Sequence, residues 1–172
     1  MRSLSNIKIK SIHTSCAGCH VVCLDIDGAA WIFGRSEKSS LGNLGDGADE
    51  LFVSESSPVK LTPRELGAPK GTTFVEAACG RNHTLLVGSN GQFWSAGVNQ
   101  AGQVSAWCLS VCNAGANHSV LDVSAQCAQS PCAEVTSFKL AHSPEFNGVK
   151  EKVVKAAAGM NFSLVLTDTG KG

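Results

Sequence analysis

The sequence has no run of 18 apolar residues, which excludes a helical membrane span within it. Its first residues, Met1 to Lys8, lack the apolar core of a signal peptide, so the expectation is a nuclear or cytoplasmic protein. Neither charge is in excess. The 14 basic and 14 acidic residues give no overall pull toward nucleic acid or an anionic membrane. The Gly-x4-Gly-Lys-Ser/Thr loop that cradles phosphates is missing. Gly42 to Gly47 is Gly-rich but carries no Lys, and it reads as a solvated acidic turn. Proline is scarce, with 5 residues, whereas glycine is frequent, with 18. Apolar content of 43% is enough for a core. Short apolar runs closed by glycine suit tight turns between short strands.

The chain repeats itself. A shift of 63 residues lays one segment on another without a gap: Cys16 on Cys79, His20 on His83, Gly28 on Gly91, Trp31 on Trp94 and Gly34 on Gly97. Ala17 against Gly80 is the clear mismatch. A further shift of 79 carries Gly80 onto Gly159, Asn82 onto Asn161, Thr84 onto Ser163 and Gly91 onto Gly170. Phe162 stands where His83 would fall, and no third Trp-x-x-Gly follows. Each copy predicts a strand, a two-residue turn (Asp27-Gly28, Asn90-Gly91 or Thr169-Gly170) and, in the first two copies, an aromatic strand closed by Gly. Asp-Gly and Asn-Gly are strong hairpin signals, because a type I′ turn needs positive φ at both positions. A hairpin repeated in this way is the mark of a propeller blade or a β-solenoid.

At Cys79-Gly80-Arg81-Asn82-His83-Thr84-Leu85, continued by Gly91-Gln92-Phe93-Trp94-Ser95-Ala96-Gly97, the sequence resembles the regulator of chromosome condensation repeat family. The copy from Cys16 to Gly42 is looser but in register. The resemblance implies an all-β fold with four-stranded antiparallel blades, in rings of about seven. The chain is then a partial β-propeller with two full repeats and one truncated repeat. Repeat 1 covers about residues 10–72, repeat 2 about 73–151 and repeat 3 about 152–172, with the whole of 1–172 as one partial propeller. Three repeats do not close such a ring, which implies a fragment of a longer propeller.

The second spacing is too long. Residues 104–129 hold the excess, with altered composition, three cysteines and almost no charge. Removing these 26 residues leaves 79 − 26 = 53, an ordinary spacing. Two readings stay open: a surface loop, which propellers tolerate, or a translated intron. Within this stretch, Gly115 to Asp122 imitates the repeat strand, and the missing downstream turn and Trp-x-x-Gly make it read as chance similarity.

Cys16-Ala17-Gly18-Cys19-His20 spells the c-type haem motif. The register with Cys79 and His83 explains the same residues as blade positions. Cys16, Cys19, His20 and Cys23 also suggest a zinc set, as do Cys108, Cys112, Cys127 and Cys132. Alternation along a strand sends such residues to opposite faces. In a reducing compartment the eight cysteines are expected as free thiols. The residues expected to carry the repeat are Cys16, His20, Gly28, Trp31, Gly34, Cys79, Gly80, His83, Gly91, Trp94, Gly97, Gly159 and Gly170. Arg35, Lys38 and Arg81 lie nearest the repeat turns and are the expected partner-contact positions.

The functional expectation is a protein-interaction scaffold and not an enzyme, with no cofactor, metal or small-molecule substrate. The resemblance implies protein partners: a small GTPase such as Ran, whose nucleotide exchange the family promotes, or chromatin, with a part in cell-cycle regulation. The alternatives are a haem electron carrier using Cys16, Cys19 and His20, and a truncated or mis-spliced product without function.

Overall fold

The computed structural model describes residues 4–16, 18–35, 52–53, 58–98, 120–122, 134–141, 145–146 and 149–169. They are built almost wholly of antiparallel strands. In chain order these are β1 (Ile9–His13), β2 (His20–Asp25), β3 (Ala30–Arg35), β4 (Phe52–Val53), β5 (Val59–Leu61), β6 (Phe74–Cys79) and β7 (His83–Gly88). There follow β8 (Phe93–Val98), β9 (Val120–Asp122), β10 (Glu134–Leu140), β11 (Glu145–Phe146), β12 (Val149–Lys150), β13 (Val153–Ala158) and β14 (Ser163–Thr167). Among the described residues, no helix is long and apolar enough to cross a membrane.

Three sheets repeat one plan. Blade 1 runs β1-β2-β3, and both β4 and β5 pair with β3 on its outer side. Blade 2 runs β6-β7-β8-β10. Blade 3 runs β13-β14-β9. The turns that the sequence predicts lie where expected: Gly28 and Gly91 have φ of 81° and 84° at the β2–β3 and β7–β8 hairpins. Blade register is also preserved, since His20 opposes Gly34 in blade 1 and His83 opposes Gly97 in blade 2.

The core lies between the blades. Val22, Leu24, Ala30 and Ile32 of blade 1 pack in one cluster with Phe74, Ala77, Cys79, Leu86, Trp94 and Ala96 of blade 2. Val87 and Phe93 of blade 2 pack with Val153 and Val165 of blade 3. Alternation along each strand explains this arrangement: one set of side chains faces the blade before, the other the blade after. The middle strands of blade 2, β7 and β8, are therefore buried on both faces, at every position.

Backbone hydrogen bonds join the blades at matching points. The Phe74 amide donates to the Gly28 carbonyl at 2.8 Å, and the Val153 amide donates to the Gly91 carbonyl at 3.0 Å. A Cβ on Gly28 would strike Thr73, and one on Gly91 would strike Lys152. Glycine is needed at both positions for its positive φ and for this close approach. The expected Gly170 counterpart lies outside the described residues, as do Ala17, Lys38 and the Gly42–Gly47 turn.

Within the long insertion only residues 120–122 are described. They form β9, which pairs with β14 of blade 3. The segment that reads as chance similarity to a repeat strand thus includes a strand of the sheet.

Candidate interaction surface

The loops that join the first and second strands of each blade lie on one rim. These are residues 14–19 in blade 1, 80–82 in blade 2 and 159–162 in blade 3. Those of blades 2 and 3 are tight for a reason visible in the residues. In blade 2 the Gly80 amide donates to the His83 carbonyl at 2.8 Å, and the His83 ring lies where a Gly80 side chain would be. In blade 3 the Gly159 amide donates to the Phe162 carbonyl at 2.9 Å, and the Phe162 ring covers Gly159 in the same way. A ring folded over glycine is the shared device, and either His or Phe serves.

The ends of the third strands join the same rim. The Arg35 amide donates to the Cys19 carbonyl, and the Val98 amide to the Asn82 carbonyl, both at 2.8 Å. Gly34 and Gly97 have φ of 114° and 115°. A Cβ on either would come within 2.6 Å of the Cα of His20 or His83, respectively. Adjacent rim loops are also tied together: the Ser15 hydroxyl donates to the Gly80 carbonyl at 3.4 Å, and Glu76 lies 3.3 Å from the His13 ring. Two of the three cations expected at the surface, Arg35 and Arg81, are exposed here. Cys16, Cys19 and Met160 are exposed on the same loops.

Behind the rim the repeat histidines are buried. His20 Nε2 shares a 2.8 Å hydrogen bond with the Thr84 hydroxyl of the next blade. Burial first, and the neighbouring His83 ring second, lower the pKa of His20 to about 4. Burial likewise lowers His83 to about 4. The Phe162 backbone opposes that shift, although neither ring nitrogen of His83 reaches hydrogen-bond geometry. Both rings are neutral at pH 7 and act as blade packing, not as acid–base groups exposed to a substrate.

The cysteine motifs fare differently from their spelling. Cys16 and Cys19 lie on an exposed loop, but the His20 ring is buried between blades with Nε2 already bonded to Thr84. No haem approaches that ring without separating blades 1 and 2. His20 and Cys23 point to opposite faces of β2, which prevents convergence on zinc. The second zinc set lies outside the described residues. Burial pushes the Cys79 thiol up to about 12, and burial also raises Cys23, so neither is a nucleophile near neutral pH.

The two tryptophans sit at matching positions with different anchors. Trp31 Nε1 donates to the buried Asp25 carboxylate at 2.8 Å, and the other Asp25 oxygen accepts from the Ala29 amide at 2.8 Å. Lys60 stands over the Trp31 ring, 5.3 Å from its centroid. Trp94 Nε1 donates instead to the Leu66 carbonyl at 3.3 Å, and its ring meets Phe74 edge-on at 5.8 Å. Repeat matching points to the tryptophans and to Thr84 but misses Asp25. The signal for Asp25 is a carboxylate ending an apolar strand two residues before the turn. Thr84 needs the neighbouring blade in view before its role shows.

Three blades of one plan, stacked through matching glycine carbonyls, define a β-propeller segment. Residues 27–87 match the family model described as the regulator of chromosome condensation (RCC1) repeat. The chain is 33% identical over 101 residues to a Xenopus laevis protein named RCC2 homolog, covering 59% of this chain and 18% of that protein. It superposes on yeast (Saccharomyces cerevisiae) Prp20p with a TM-score of 0.59 at 19% identity, covering 95% of this chain and 32% of that one. Human WBSCR16 gives 0.60 at 13% identity, over 98% and 33%. The chain thus carries a match to the RCC1 repeat at residues 27–87 and is similar to proteins of that family. It spans under a fifth of the length of the curated relatives it matches.

Proposed function

We propose that this chain is part of an RCC1-type propeller that works as a protein-interaction scaffold, by binding and not by catalysis. The observation that carries the reading is the rim. The rim loops are closed by backbone bonds within each blade, Ser15 ties the first loop to Gly80 of the second, and together they present Arg35, Arg81, Met160 and two thiols, while the histidines behind them are buried and neutral. A rigid frame with short exposed loops is how propellers offer binding surfaces. The repeats run at about 10–72, 73–151 and 152–172, with β9 of the second repeat crossing into the third blade, and Arg35, Lys38 and Arg81 are the contact residues.

The partner class we favour is a small GTPase of the Ran type, with chromatin as a second surface for the full-length protein. Prp20p, the yeast propeller on which this chain superposes, binds Gsp1p and histones, which supports both. Exchange factors loosen a bound nucleotide by inserting loops, which suits a rim of this kind. The site of action is then nuclear or cytoplasmic. The test is release of a fluorescent guanine nucleotide from Ran, with the full-length protein added. Stimulation that falls at least about tenfold in Arg81→Ala agrees with the reading, given that arginine anchors commonly dominate interfaces. Release at the intrinsic rate, with no complex seen by pull-down of Ran or histones, removes it.

A further inference from the structure

Three side chains at the junction of blades 1 and 2 form a linked set that the repeat does not require. Ser11 and His13 stand two residues apart on β1, so their side chains leave the same face of the strand. The Ser11 hydroxyl lies 2.9 Å from His13 Nε2. On the other side of the ring, His13 Nδ1 lies 3.3 Å from Glu76 Oε1, on β6 of blade 2. Glu76 Oε1 also accepts from the Ala77 amide at 3.3 Å, and the Cys79 thiol donates to the His13 carbonyl at 3.4 Å, so both ends of the contact are held. All three residues are half-buried, neither sealed in the core nor fully in solvent. At the matching register blade 2 carries Glu76 and Ala78, and blade 3 carries Lys155 and Ala157. Blades of this plan thus form without a serine or a histidine there, and packing alone leaves Ser11 and His13 unexplained.

We propose that Ser11 is an acyl-acceptor site, with His13 as its general base and Glu76 as the group that orients the base, and that it takes an acyl group from a thioester. Glu76 faces Nδ1 and sets the tautomer, because a carboxylate accepts from the protonated ring nitrogen. Nε2 is left with its lone pair toward the Ser11 hydroxyl. A nucleophile, a base within hydrogen-bond reach and a third group holding the base is the arrangement that activates a serine, and it is recognised by geometry and not by sequence position. In the transfer, Ser11 Oγ bonds to the carbonyl carbon of the thioester while its proton passes to His13 Nε2. The carbon–sulfur bond then breaks, and the leaving thiolate takes the proton from Nε2. The products are an ester on Ser11 and a free thiol, with His13 and Glu76 returned to their starting states. A thioester suits the site because a thiolate leaves without help from a metal or a second acid. One transfer modifies the chain and involves no turnover. The proposal stands beside the scaffold reading and does not rest on it.

The probe is S-acetyl-N-acetylcysteamine, added to the full chain, with acetylation mapped by tandem mass spectrometry. The exposed Cys16 and Cys19 also take acetyl groups. Neutral hydroxylamine removes those thioesters and leaves a serine ester, so Ser11 is read by itself. Ser11 of the folded chain should acetylate faster than Ser11 of the same chain in urea, by about tenfold or more. His13→Gln should bring the folded rate down to the urea rate, and Glu76→Gln should lower it by about tenfold. Nitrogen chemical shifts of the His13 ring test the positioning role of Glu76 apart from stability. The proton should sit on Nδ1 in the unaltered chain and move toward Nε2 in Glu76→Gln. The comparison with urea and the ring shifts of the unaltered chain need no variant to fold. A Ser11 that reacts no faster folded than unfolded overturns the proposal. So does a proton on Nε2 in the unaltered chain, or an undiminished rate in a folded His13→Gln variant.

Discussion

His20 and His83 show how a repeat residue can invite the wrong chemistry. The place of His20, within Cys-x-x-Cys-His, suggests iron or zinc, yet its ring and that of His83 are both sealed between blades. Their consequence is for stability. The folded pKa of each is about 4, against an ordinary value of 6.5. The folded state therefore resists protonation, and stability is fully present above pH 6.5. It falls as pH drops from 6.5 toward 4, by up to about 3 kcal/mol per histidine. Urea midpoints at pH 7, 5.5 and 4.5 should show this decline. His83→Phe, which copies Phe162, should make it shallower, and an unchanged pH slope would refute the role given to His83. Glycine positions carry the second residue-scale expectation. Gly34→Ala and Gly97→Ala place a side chain against the histidine backbone at positive φ. Each should cost about 2 kcal/mol or more in denaturant melts.

At the scale of strands and turns, the repeat was legible because each element has its own local cause. Asp27-Gly28 and Asn90-Gly91 announce hairpins, and the residues on either side form β2, β3, β7 and β8. What was not legible is whatever depends on a neighbouring blade. The Trp31 anchor differs from the Trp94 anchor because position 25 is Asp in blade 1 and the matching position 88 is Gly in blade 2. Likewise, the imitation of a repeat strand by Val120 to Asp122 gives no hint that it joins blade 3, since strand pairing over such a separation has no local signature. Asp25→Ala should cost about 2 kcal/mol, because it leaves the Trp31 Nε1 and the Ala29 amide buried without their acceptor. Thermal unfolding checks this, and a loss under about 0.5 kcal/mol would contradict the account.

Across the whole molecule, the blades differ most in what covers them. Phe162 occupies the register position of His83, but it is 47% exposed where His83 is 0%. At the other end Ile12 is 69% exposed, although its counterpart Ala77 is 3% exposed. Leu164 and Leu166 are half-buried, while their counterparts Val22, Leu24, Leu85 and Val87 are fully buried. Each end thus shows surface that a neighbouring blade covers inside the stack, as expected of a repeat array. Phe162→Glu should lower binding of an apolar dye and, because it removes the ring that covers Gly159, should cost about 1 kcal/mol in thermal unfolding.

The central claim is that one blade-to-blade junction is used twice, through the Gly28 and Gly91 carbonyls. Residue-resolved hydrogen exchange tests it most directly. The account predicts that the Phe74 and Val153 amides exchange as slowly as amides within β2 and β7, because they are held inside the stack. Exchange of both at the rate of an unfolded chain, with β2 and β7 still protected, would contradict it.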